Sequence, residues 1–288
     1  MFDVREDRDQ YRYYCLEDHA SGARVKITPA RGGIVTGFAL FGRELLYLDE
    51  DTYYDANVNV RGGIPVLFPI CGQLDDGRYQ WAGHDYRMKA HGFARDVPWE
   101  VISTGTRERA SITLALRSDE RTKVVYPFDF ELRFEYSLIG NQLRIIQEYT
   151  NHSDQTMPFY AGLHPYFRVA DKRRLAFEID GATMFDGDDM MIKPFRNDLD
   201  LTDAVKAKVI LDQTATRVGL RDLVTGKHIQ MDYSREFKYP VLWSVPGKDF
   251  VCLELFMARS RAFNTRQDLY LLEPDSKVRL YVTISVAL

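Results

Sequence analysis

The sequence predicts an all-β protein that runs as one domain over residues 1–288. Three observations carry that expectation. Apolar residues alternate with polar ones at a period of two, the alternating runs are short, and turn residues separate them. No stretch keeps the roughly 3.6-residue spacing of an amphipathic helix, and no strand–helix–strand alternation signals a parallel sheet.

The strands are legible in order. Ala110–Leu116 alternates cleanly. In Glu131–Leu138, Leu132, Phe134, Tyr136 and Leu138 share one face, and Glu131, Arg133, Glu135 and Ser137 share the other. Gly140-Asn141 then supplies a turn and Leu143–Tyr149 returns, which predicts a hairpin. Val218–Leu223 and His228–Tyr233 flank Thr225-Gly226 as a second hairpin, and Val278, Leu280, Val282, Ile284 and Val286 mark a closing strand. Arg24–Asp49 alternates weakly. Leu74–Lys89 is polar and turn-rich, which suits a hairpin excursion. The only helical signal is a turn over Asp203–Val209.

Composition excludes several classes. With 45% hydrophobic and 28% charged residues, the chain has an ordinary globular balance and not that of a disordered one. A net charge of −4, with no arginine-lysine cluster among aromatics, argues against nucleic acid. No stretch approaches the roughly 18 apolar residues of a membrane helix, and MFDVREDRDQ is not a basic-then-apolar leader. The three cysteines, Cys15, Cys71 and Cys252, are far apart and form no CxxC pair, so neither a disulfide framework nor a structural zinc site is expected. Free thiols fit a reducing compartment, and the expected location is cytoplasmic.

Four segments set titratable residues beside glycine and proline in apolar surroundings. VRGGIPVLFPICGQ (Val60–Gln73) reads as a loop crossing a core and presenting Arg61. KAHGFARDVPW (Lys89–Trp99) brackets Gly92-Phe93 with His91 and Arg95. In AGLHPYFR (Ala161–Arg168), His164 precedes Pro165 and is thereby held extended at a strand end. In FVCLELF (Phe250–Phe256), Glu254 shares a face with Phe250, Cys252 and Phe256, so it either faces a cavity or is partnered. Burial would raise its pKa and make it a base near neutrality. The bland alternatives are a rim position or a pair with Arg259 for Glu254, structural roles for the histidines, and ion pairs with neighbours such as Asp96 for Arg61 and Arg95.

RGGIPVLFP (Arg61–Pro69), HGFARDVPW (His91–Trp99), GLHPYF (Gly162–Phe167), VCLEL (Val251–Leu255) and the closing LLEPDSKVRLYVTISV resemble, in order, the motifs of the aldose 1-epimerase (galactose mutarotase-like) family. The likeness is greatest to its hexose-6-phosphate mutarotase branch. It implies a large antiparallel β-supersandwich with a sugar cleft on a concave face. It also implies His164 as catalytic acid, Glu254 as catalytic base, His91 as a substrate-binding histidine near the ring oxygen, and Asp203 as the acid that binds sugar hydroxyls. Arg61 and Arg95 match arginines that bind the substrate and its phosphate. The implied reaction interconverts the α and β anomers of a hexose or hexose 6-phosphate, and the implied partner is a small sugar or sugar phosphate. No cofactor or metal is expected; a metal held by His91, His164 and Glu254 is the disfavoured alternative, as is a sugar sensor without turnover. The expected assembly is a monomer or homodimer. Two departures stand out: Ala90 where that branch usually carries glutamine, and Leu255 where the family commonly has proline.

Overall fold

A computed structural model describes residues 1–288. The strands form two eight-stranded sheets, a five-stranded sheet at the N-terminus and two small two-stranded ribbons. Every ladder between named strands is antiparallel. The three short helices, Glu50–Tyr54, Glu120–Val125 and Ala262–Thr265, lie between strands.

The first eight-stranded sheet contains the hairpins expected from the periodicity. Phe130–Ile139 pairs with Gln142–Asn151 across the Gly140-Asn141 turn, and Arg217–Asp222 pairs with His228–Tyr233. Lys277–Ala287 joins the two hairpins by pairing with a strand of each. The predicted inward face is buried: Leu132, Phe134 and Leu138 are at 0% exposure. Burial of such side chains contributes roughly 1.5–3 kcal/mol each before entropy is subtracted, which is why the register is fixed. Against this face sits Phe68, whose ring meets Phe130 at 5.1 Å and Tyr149 at 5.8 Å. Phe68 follows the two-residue strand Val66–Leu67 at the edge of the second eight-stranded sheet, so the two sheets face one another through aromatic side chains.

The second sheet carries the segments singled out for chemistry. Its order runs Met191–Pro194, Thr183–Asp186, Lys208–Ile210, Tyr239–Trp243, Phe250–Phe256, Gly162–Leu163, Val66–Leu67, with Tyr166–Arg168 also paired to Phe250–Phe256. The ribbon Arg78–Trp81/His84–Arg87 is the excursion predicted within Leu74–Lys89.

Two expectations fail. Asp203–Val209 holds bends that lead into the strand Lys208–Ile210, not a helical turn. Asp188 takes the job a helix would have done, accepting from the backbone N–H groups of Lys206 (2.8 Å) and Val205 (3.4 Å). The three helices escaped the periodicity because each is too short to show an apolar stripe; Glu120–Val125 is announced instead by its cap, Asp119 with Thr122.

Candidate active site

Glu254 lies in the middle of the second large sheet. All seven residues of Phe250–Phe256 are buried. The strand is flanked by Tyr239–Trp243 on one side and by Gly162–Leu163 and Tyr166–Arg168 on the other. His164 and Pro165 fall in the gap between those two short strands, where proline cannot donate to the ladder. The His164 backbone N–H donates instead to the Pro65 carbonyl at 3.2 Å. The result brings His164 Nε2 to 3.3 Å from Glu254 Oε2, with the residues at only 6% and 2% exposure. The rim alternative for Glu254 therefore fails. So does the pair with Arg259, whose guanidinium lies over the Phe185 ring at 5.2 Å.

His91 joins them from the third segment. Its ring centroid is 5.6 Å from that of His164, edge to face. The backbone at His91 is left-handed (φ +67°), a conformation of moderate cost for a residue with a side chain. Gly92 follows with φ +71°, and a Cβ there would come within 2.2 Å of the Phe68 carbonyl oxygen, so only glycine fits. The strain at His91 is held by two bonds to one residue: His91 N–H donates to Gly72 O at 2.7 Å, and Gly72 N–H donates to His91 Nδ1 at 3.1 Å. Since Nδ1 accepts, the ring proton of neutral His91 sits on Nε2.

Burial governs the electrostatics. It holds His91 down at about 3, with Arg95 adding to the effect, so His91 is neutral at every working pH. Burial likewise pushes His164 well below its ordinary value, helped by His91 and Arg95. It pushes Glu254 well above the carboxylate range, against the pull of Arg95. Two contacting groups so placed share a single proton and carry no net charge. His164 Nδ1 and Glu254 Oε2 are buried without a hydrogen-bond partner. Groups of that kind await a ligand or cost stability.

Aromatic rings wall the pair. Tyr166 stacks on His164 with centroids 4.7 Å apart and planes 14° apart, and Trp243 meets His164 edge-on at 5.7 Å. Neither was singled out beforehand; Tyr166 lies two residues beyond His164 in the same motif, while nothing near Trp243 in sequence marks it. The Trp243 indole N–H donates to the Val205 carbonyl at 3.1 Å, which ties this wall to the segment that carries Asp203. Asp203 itself is exposed and makes no bond to His164, His91 or Glu254.

The arginines frame the other side. Arg95 donates from Nη2 to the Ala90 carbonyl at 3.0 Å, and its Nε is buried without a partner. With the Asn59 amide turned to donate to Asp96 Oδ1 (3.0 Å), its oxygen accepts from Arg95 Nη2 at 3.2 Å. Asp96 is bound to Lys89 at 2.6 Å, so the ion pair considered for the arginines goes to a lysine. Arg61 is exposed and unpaired, with its backbone anchored by the Thr52 hydroxyl at 3.0 Å. Both arginines reach the same neighbourhood: the Tyr166 phenol is pushed well up by burial, then by Cys252 and Glu254, and Arg95 and Arg61 act against that shift. The structure thus gathers His164, Glu254, His91 and Arg95, sets Arg61 beside them, and leaves Asp203 on an outer segment.

The comparisons with known proteins bear on the family and the fold. The sequence model of the aldose 1-epimerase family matches residues 14–285. The crystal structure of Slr1438 protein from Synechocystis sp. PCC 6803 superposes with a TM-score of 0.95 at 37% identity, covering 100% of this chain and 99% of that one. A galactose mutarotase related enzyme from Lactobacillus acidophilus has the same fold, with a TM-score of 0.78 at 23% identity over 96% of this chain and 97% of its own. A relative in Escherichia coli K12, named "Putative glucose-6-phosphate 1-epimerase", is 31% identical over 129 residues, 44% of this chain and 39% of its own length. The β-supersandwich expected from the motifs is the observed fold, no helix is long and apolar enough to cross a membrane, and the chain belongs to the aldose 1-epimerase family.

Proposed function

We propose that the protein interconverts the α and β anomers of a hexose or hexose 6-phosphate, with His164 as acid and Glu254 as base. The observation that carries this reading is the buried, mutually contacting His164–Glu254 pair, 3.3 Å apart and short of hydrogen-bond partners. Ring opening removes the proton from the anomeric hydroxyl and adds one to the ring oxygen. Glu254 takes the first and His164 gives the second. After rotation about the C1–C2 bond, both transfers reverse and the other anomer closes. An acid and a base positioned in this way each contribute about 10²–10⁴-fold.

The proton count favours this chemistry. The reactive form of the pair is ionic, glutamate with imidazolium. Ring opening converts it to neutral carboxylic acid and neutral imidazole without gain or loss of a proton. That neutral form is the one the buried site stabilises, so the environment assists the step toward the open-chain aldehyde. His91, neutral and with its proton on Nε2, donates a hydrogen bond to a sugar oxygen and does not titrate. Tyr166 and Trp243 offer ring faces and edges to sugar C–H groups. Arg61 and the unpartnered Nε of Arg95 suit a phosphate, since guanidinium forks match its oxygens. Asp203 reaches sugar hydroxyls from the outer segment.

Saturation-transfer NMR on glucose, galactose and glucose 6-phosphate tests the reading. Expected is α/β exchange well above the spontaneous rate for at least one of them. Exchange at the spontaneous rate for all three, with sugar still bound, would remove the catalytic claim for these substrates and leave a sugar sensor.

A further inference from the structure

Cys252 has no part in anomer exchange, yet it occupies the active site. It lies two residues before Glu254 on the same strand, and alternation turns both side chains to one face. His164 comes from the segment that pairs with this strand on either side. One atom from each residue, the thiol sulfur, a carboxylate oxygen and an imidazole nitrogen, lies within 4.8 Å of the other two.

We propose that His164, Cys252 and Glu254 form a capture site for a thiophilic divalent cation, zinc foremost, which blocks the cleft against sugar. The distances fit. Bond lengths of about 2.0–2.2 Å to nitrogen and oxygen, and about 2.3 Å to sulfur, give a zinc tetrahedron with edges of roughly 3.4 Å between N and O and 3.6 Å to S. The observed His164–Glu254 separation, 3.3 Å, already matches the first of these edges. Closing the others from within 4.8 Å requires movement of up to about 1.2 Å. One imidazole, one thiolate and one carboxylate are a zinc-type donor set, and three protein ligands leave the fourth position open toward the cleft.

The charges also fit. Zinc with one thiolate and one carboxylate sums to zero, the net charge a buried site tolerates best. The Glu254 oxygen that now lacks a partner would gain one. On binding, a sulfur–metal bond replaces the S–H bond and an oxygen–metal bond replaces the O–H bond of neutral Glu254, so two protons leave to solvent; no electron is transferred. The other cluster of three candidate ligands in the chain, Asp3 with Glu17 and His19, lacks these features. It lies at the edge of the N-terminal sheet, where Glu17 is already paired with Arg5. The site is inhibitory, because it consumes the acid and the base at once.

Cobalt(II) chloride titrated into the full chain tests this without relying on activity. Expected is one equivalent bound, with a near-ultraviolet thiolate-to-cobalt charge-transfer band and visible bands of tetrahedral intensity. The band should be lost in Cys252→Ser, retained in Cys15→Ser, and suppressed in the wild type by a saturating sugar that the cleft accepts. Zinc chloride should displace cobalt, and its affinity should fall at least about tenfold in Cys252→Ser. No band in the wild type, or a band that survives Cys252→Ser or persists under saturating sugar, overturns the proposal. The sugar arm needs no variant, so poor folding of Cys252→Ser leaves the test intact. If cobalt binds as expected and no sugar is turned over, the metal site stands and the anomerase reading falls.

Discussion

Replacing Glu254 with glutamine tests the buried pair through stability alone. In the folded chain burial lowers His164 and raises Glu254, so together they hold one proton. In the unfolded chain they titrate near their ordinary values, about 6.5 and 4.3. For Glu254, raised on folding, stability is complete below about 4.3 and is lost as pH rises toward the folded value. For His164, lowered on folding, stability is complete above about 6.5 and is lost as pH falls. Between those two values the losses cancel, because folded and unfolded chains hold the same one proton. Above about pH 6.5 the wild type loses stability toward pH 8.5, at a limiting slope of about 1.4 kcal/mol per unit while folded Glu254 keeps its proton. Glu254→Gln removes that loss. It leaves the histidine uncompensated, so the variant loses stability at up to the same slope between about pH 6.5 and 4.5, where the wild type is flat. The stability of the variant relative to the wild type should therefore rise with pH across that range, by up to about 1.4 kcal/mol per unit. Urea unfolding followed by tryptophan fluorescence at the three pH values measures it. A difference that stays constant within about 1 kcal/mol would refute the single-proton account.

Three further outcomes follow from named contacts. His91→Phe should lower kcat/KM by about 10²–10³-fold by removing a fixed donor, read by anomer-exchange kinetics; activity within about threefold of the wild type would contradict this. Arg61→Ala should raise KM for a hexose 6-phosphate by roughly 10–100-fold and leave that for the free hexose nearly unchanged, measured by anomer-exchange kinetics on both sugars. Equal effects on the two would remove Arg61 from phosphate binding. Gly92→Ala should destabilise by about 2 kcal/mol or more, since its Cβ would stand 2.2 Å from the Phe68 carbonyl oxygen at a left-handed φ, and chemical denaturation reads this directly.

The long hairpins were legible because one face of each strand is buried and the other solvated, which writes a period of two into the sequence. The second large sheet was harder to read. Its site strand, Phe250–Phe256, is buried on both faces, so only the carboxylate among apolar residues betrayed it. Glycine and proline marked the segments of His91 and His164, since both depend on backbone that ordinary residues or ladders cannot supply. Trp243 stayed hidden, for its role arises from a strand neighbour and from its bond to Val205, neither of which has a local signature. The fate of Asp96 was equally non-local in character: sequence proximity suggested an arginine, and the fold delivered Lys89.

His164 and Glu254 are rooted in or beside a buried sheet, whereas Asp203 and Arg61 stand exposed on irregular segments. Loops of that kind tolerate insertion and substitution far better than a buried ladder does. The arrangement separates what the protein can do from what it can do it to. On the proposed reading, a lineage carrying this sheet is free to exchange one sugar for another by editing its rim, with the proton-transfer pair passed down intact.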